Sequence, residues 1–171
     1  FHFSRMHGDP RVWEGVMTIY QPDGSLLASR SFGANGTDDS ADTGSCSFTC
    51  EEPLQKWRAR FNGMARTCTT RDMAKGLLPD GPVQRVALDL AFEGSMPTWC
   101  AGEAMEKQDW GDVHLAQGGR VTGTVEVDGQ TVTLDGYGVR DHTRGPRDYA
   151  SLDHHLWLWA FFPSGRMCLA V

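Results

Sequence analysis

The chain has 171 residues, enough for one sizeable hydrophobic core or two small ones and too few for two large domains. Sixteen Lys and Arg against 22 Asp and Glu give a formal net charge of −6 with no concentrated basic run, which argues against nucleic acid as a partner. No apolar run approaches the roughly 18 to 20 residues of a membrane helix, so the chain reads as soluble with no transmembrane segment, and a cytoplasmic location is expected.

Turn chemistry organises the chain from its start. Pro22-Asp23-Gly24-Ser25 separates Val16 to Tyr20 from Leu26 to Phe32 and predicts a hairpin. Gly33 to Gly44, rich in Gly, Asp, Ser and Thr, reads as a long exposed loop or connector outside the core. Trp57, Ala59 and Phe61 alternate with Arg58 and Arg60, while Val86, Leu88, Leu90 and Phe92 alternate with Arg85, Ala87, Asp89 and Ala91. Both segments predict half-buried antiparallel strands. No window carries a sustained helical apolar repeat, and Thr98 to Trp110 is the best candidate for a short helix. Val121 to Val127, Asp128-Gly129 and Gln130 to Leu134 form the strongest hairpin signal, because Asp-Gly tolerates the positive φ of a two-residue turn. Leu156 to Phe162 and Met167 to Val171 flank a third turn at Pro163-Ser164-Gly165.

The expected fold class is therefore all-β and antiparallel, in two β halves: residues 1–98, a connector over 99–113, and 114–171. The second half is expected to be incomplete, since the sequence stops inside an apolar run at Val171. Five cysteines at irregular spacing predict reduced thiols, and Cys46-Ser-Phe-Thr-Cys50 is a weak metal signal.

Chemistry concentrates in Gly136-Tyr-Gly-Val-Arg-Asp-His-Thr-Arg-Gly-Pro-Arg-Asp-Tyr149. Two aspartates, a histidine and three arginines beside apolar strands must be paired, hydrogen-bonded or functional. Adjacent Asp141 and His142 face opposite ways on an extended strand and converge only in a bend, which Gly136, Gly138, Gly145 and Pro146 favour. Two readings stand side by side: an ion-pair clamp that pins strands together, and a polar or proton-transferring site in a ligand pocket. Asp153-His154-His155, with His142 and Asp148, supplies donors for a divalent metal, but neighbours on a strand diverge, so no metal is expected. Leu156 to Phe162 is apolar on both faces and reads as a core strand buried on two sides or as the lining of an apolar cavity.

Gly136 to Asp148 resembles the glycine, x, glycine, x, Arg-Asp-His-Ser-Trp-Gly-Pro-Arg-Asp signature of the lipocalin-like two-domain proteins related to carotenoid 1,2-hydratase, tocopherol cyclase and AttH. Gly119 to Gly129 and Trp57 to Gly63 are similar to two further strands of that family. Arg144 and Tyr149 stand where relatives commonly carry tryptophan. The resemblance implies a lipocalin- or calycin-like barrel or sandwich around an apolar pocket, and an isoprenoid- or polyketide-like molecule as partner. It further implies hydratase, cyclase or isomerase chemistry by proton transfer, without a cofactor. On that footing Asp141 or His142 is the general acid, Asp148 orients the imidazole, and Arg140 and Arg147 fix the carboxylates. Tyr137, Tyr149, Trp157 and Trp159 are the remaining ligand contacts. A non-catalytic carrier or sensor of a hydrophobic ligand, and a protein-interaction domain, are the alternatives.

Overall fold

A computed structural model describes residues 1–76, 78, 80–102, 111–145, 148, 157–162, 164 and 167–170. The strands are β1 (His2–Arg5), β2 (Trp13–Tyr20), β3 (Leu26–Gly33), β4 (Asn35–Thr37), β5 (Ser40–Asp42), β6 (Cys46–Glu52), β7 (Lys56–Cys68), β8 (Val83–Gly94), β9 (Trp99–Cys100), β10 (Val113–Val127), β11 (Gln130–Arg144), β12 (Leu158–Phe161) and β13 (Met167–Ala170). The helix α1 (Thr70–Ala74) follows β7. The fold is all-β and antiparallel, and among the described residues the strand pairing does not close into a barrel. No helix of the described residues is long and apolar enough to cross a membrane. Contacts divide the chain into two units, one of Phe1–Phe92 with Thr122–Asp135 and one of Glu93–Val121 with Gly136–Val171.

In the first unit the strands run β1-β2-β3-β7-β6-β5-β4 across the sheet. The turn after Tyr20 closes with Gln21 N–H donating to Ser25 O over 2.9 Å, and Gly24 takes φ +83°, the left-handed conformation that glycine adopts without strain. Asp128 and Gly129 have φ 47° and 80°, the two positive values of a primed hairpin turn. That turn is tied down, since Asp128 Oδ1 accepts from Arg85 N–H at 2.8 Å and Asp128 N–H donates to Arg85 O at 2.9 Å. Alternation along β2 buries Trp13 and Met17, and the core joins Met17, Leu27, Cys46, Phe61, Ala65, Val86 and Leu88. Val125 and Val127 of the strongest predicted hairpin pack against this cluster.

Gly33 to Gly44 differs from the expected loop. It folds into β4 and β5, with Ala41 and Thr43 buried. The small residues permit close approach: a Cβ at Gly33 would lie 2.4 Å from Asp42 O, and one at Gly36 would lie 2.5 Å from the Trp13 indole nitrogen. A composition that reads as flexible here serves tight packing.

The second unit pairs β10 with β9 and β11, and β12 with β13. Trp99–Cys100, the start of the candidate helix, is strand, held by Leu115↔Cys100 and Ala116↔Trp99; residues 103–110 of that candidate lie outside the described residues. The aromatic run is not buried on two sides. Trp157, Trp159 and Phe161 are half-buried, while Leu158 and Phe162 on alternate positions are about half exposed. The turn at Ser164 joins β12 to β13 as the third predicted hairpin requires.

Candidate functional site

The Asp128-Gly129 turn sets Val127 opposite Gln130, so residues equally far from the turn face each other along β10 and β11. His114 and Thr143 are such a pair, and His114 Nδ1 lies 2.7 Å from Thr143 Oγ1. Two residues back along β11, on the same side of the strand, Asp141 brings Oδ2 to 3.3 Å from His114 Nε2. That contact is out of line for a hydrogen bond and acts as an electrostatic one. In the tautomer whose Nδ1 accepts from the Thr143 hydroxyl, the Nε2–H lies on the side of the carboxylate and the contact is favourable electrostatically.

His114 is 3 % exposed and Asp141 is 57 % exposed, so the pair reaches from a covered imidazole to a solvent-facing carboxyl. Two indoles pack against the imidazole, Trp157 at 4.5 Å and Trp99 at 5.8 Å between ring centroids, and the indoles meet each other at 5.7 Å. An apolar surround of this kind strengthens any charge interaction inside it.

The bend expected within the signature falls later than Asp141. β11 continues through Arg144 and turns at Gly145, whose φ is +116°. A Cβ there would lie 2.3 Å from Asp112 N, which itself donates to Arg144 O at 2.7 Å. Asp141 and His142 therefore stay on opposite faces. His142 sits with Arg140 and Arg144: Arg144 Nε donates to His142 Nε2 at 3.1 Å, and Arg140 Nη2 is 3.4 Å from His142 Nδ1.

The remaining expected residues fall into three groups. Trp157 joins the imidazole, whereas Tyr137 stacks on Phe161 at 5.6 Å and Trp159 on Phe161 at 6.5 Å, forming a separate aromatic row. Asp148 is exposed. Arg147, Tyr149 and Asp153-His154-His155 lie outside the described residues. Among the described residues, no cluster of three or more His, Cys, Asp or Glu is placed to hold a metal. Cys46, Cys50, Cys68 and Cys100 form no disulfide, and burial pushes the Cys46 and Cys68 thiols up from their ordinary range.

A family model described as a domain of unknown function, DUF7064, matches residues 6–171. The chain belongs to that family. No curated protein and no solved structure matches this DUF7064 chain significantly.

His114, Trp99 and the role of Thr143 escape a reading of the sequence. Thr143 lies inside the signature, but its partner is 29 residues away. Nothing in Val113-His114-Leu115 marks that histidine locally. Only the Asp-Gly turn, extended along both strands, points to the pairing.

Proposed function

We propose that this DUF7064 chain binds an apolar isoprenoid- or polyketide-like molecule and transfers a proton on it, as a cofactor-independent hydratase, cyclase or isomerase. The observation that carries this reading is the His114 imidazole, buried beside Trp99 and Trp157 and in contact with Thr143 and Asp141. The likeness of Gly136 to Asp148 to the carotenoid hydratase and tocopherol cyclase signature supports the same chemistry.

In this reading a ligand laid across the indoles covers Asp141 and excludes water from it. The protonated carboxyl gives its proton to an alkene carbon, and the double-bond electron pair forms the new C–H bond. The indole faces lie beside the cation that results. A water admitted to that cation then forms the C–O bond and gives its surplus proton back to the carboxylate, or a neighbouring C–H proton returns to the carboxylate as a double bond forms. His114, held by Thr143, steadies the carboxylate through each exchange. Asp141 is thus the catalytic residue, and His114 and Thr143 are positioning residues.

The exposure of Asp141 favours one second reading, a carrier that holds the ligand without transforming it. Native mass spectrometry of the protein from its own host, with identification of retained lipids, tests both. Retention of an apolar molecule that Trp157→Ala loses and Asp141→Asn keeps supports binding beside His114. Protein that is reproducibly empty contradicts both readings.

A further inference from the structure

The chain has two asparagines, and each precedes a glycine: Asn35-Gly36 and Asn62-Gly63. A glycine leaves its amide nitrogen unscreened by a side chain, so that nitrogen can reach the preceding side-chain amide once the backbone bends out of the extended form. Asn62 is held against that motion. It lies within β7, its N–H donates to Ser45 O at 2.9 Å, its Oδ1 accepts from Arg85 Nη2, and Arg85 Nη1 donates to Gly63 O at 3.2 Å.

Asn35 lies at the other extreme. Its strand β4 has three residues, all exposed, stands last in the sheet order and pairs only with β5 among the described residues. A short edge paired on one side opens at far lower cost than β7, which pairs with β3, β6 and β8. The packing beneath β4 is nonetheless tight. A Cβ at Gly36 would lie 2.5 Å from the Trp13 indole nitrogen and 3.0 Å from Ala41 Cβ, and the register sets Asn35 opposite Asp42.

We propose that Asn35-Gly36 is a site of covalent modification, at which the asparagine loses its amide and the product loosens β4. The Gly36 nitrogen gives its proton to water and attacks Asn35 Cγ. The new C–N bond closes a succinimide ring, and the bond from Cγ to the amide nitrogen breaks as ammonia leaves with a proton returned by water. A second water then opens the ring. Cleavage at Cγ leaves aspartate, and cleavage at the backbone carbonyl carbon leaves isoaspartate, whose main chain is longer by a carbon. Either product sets a carboxylate opposite Asp42, and like charges directly opposite destabilise an antiparallel pair. The added carbon of isoaspartate also shifts Gly36 against the Trp13 indole, where even a Cβ does not fit. The site lies in the first unit and is independent of the function proposed for His114.

The test ages the full-length protein at mildly alkaline pH and maps its peptides by mass spectrometry. The Asn35 amide is expected to be lost about tenfold or more faster than the Asn62 amide, and the two rates should converge in denaturant. Arg85→Gln, which frees the Asn62 side chain, should quicken loss at Asn62 and leave Asn35 unchanged. Amide hydrogen exchange over residues 35–42 should rise with the fraction converted in the wild type. It should stay constant in aged Asn35→Gln, whose longer side chain closes a ring far more slowly. Equal loss at both asparagines in the native protein, or an Asn35 that outlasts Asn62, overturns the proposal. A difference that persists in denaturant also overturns it, because sequence neighbours and not the fold then set the rates. Exchange that does not change on conversion overturns the loosening of β4.

Discussion

The two contact units bury different chemistry. The first closes on Met17, Leu27, Cys46, Phe61, Ala65, Val86 and Leu88, and its buried polar residue Thr43 is bonded to Ser31 and to the Cys46 carbonyl. The second buries His114 and Gln117 beside Ala116 and sets indoles around the imidazole. Burying polar groups costs free energy unless partners meet them, and Thr143 and the Met96 carbonyl meet His114 and Gln117. The first unit thus holds the larger apolar core, and the second holds the buried polar side chains on which the proposed function rests.

Phe61→Ala should hit this division hardest. Phe61 is 1 % exposed, and emptying its site should lower unfolding stability by about 3–5 kcal/mol in denaturant titration. A loss well under 1 kcal/mol would contradict the central place given to that core. Gly145→Ala comes next, because an L side chain is strained at φ +116° and meets the Asp112 backbone. It should cost about 1–3 kcal/mol and displace the end of β11, disturbing the His114 resonances more than any signal from the first unit.

Thr143→Val should cost only about 1 kcal/mol, the worth of one hydrogen bond, yet change the pH profile of any ligand turnover. A Thr143→Val variant with an unaltered profile would return the His114 contact to a purely structural role. Arg58 separates electrostatics from packing in the first unit. Its guanidinium hydrogen-bonds Asp89 at 2.5 Å and 2.7 Å and holds the Asp89 carboxyl below its ordinary range. A lowered folded value contributes stability above the unfolded value near pH 4, and that stability is lost as pH falls further. Both side chains are more than a third exposed, so the effect stays at about 1 kcal/mol or less. Asp89→Asn should flatten the acid limb of the stability curve below about pH 4 and leave neutral ligand binding unchanged. The smallest effect is kinetic: brief thiol labelling with mass mapping should modify exposed Cys100 before buried Cys46 and Cys68. Early labelling of Cys46 would show that the first core opens readily.

What the sequence made legible follows from the range of each signal. Asp128-Gly129 and Pro22-Asp23-Gly24 act over a few residues, and both hairpins stand where their turns require. The alternation of Val86 and Leu88 marks β8 for the same reason. Gly33 to Gly44 was illegible because glycine marks flexibility and close packing alike, and only Trp13 and Asp42 across the gap decide between them. The aromatic run misled because apolar residues on both sides of a strand do not fix what covers each side; Leu158 remains 56 % exposed. The candidate site was half legible. Asp141 and Thr143 lie in the signature, whereas His114 enters from another strand through a pairing that no local pattern around it announces.

The claim that Asp141 transfers a proton is tested most directly in D2O. The apolar molecule retained by the full-length protein from its own host is incubated with fresh wild-type protein, recovered, and weighed by mass spectrometry. Deuterium fixed on carbon is expected with the wild type and absent with Asp141→Asn, while both proteins still retain the molecule. A molecule that returns from the wild type with no deuterium on carbon would contradict proton transfer and leave the aromatic site as that of a carrier.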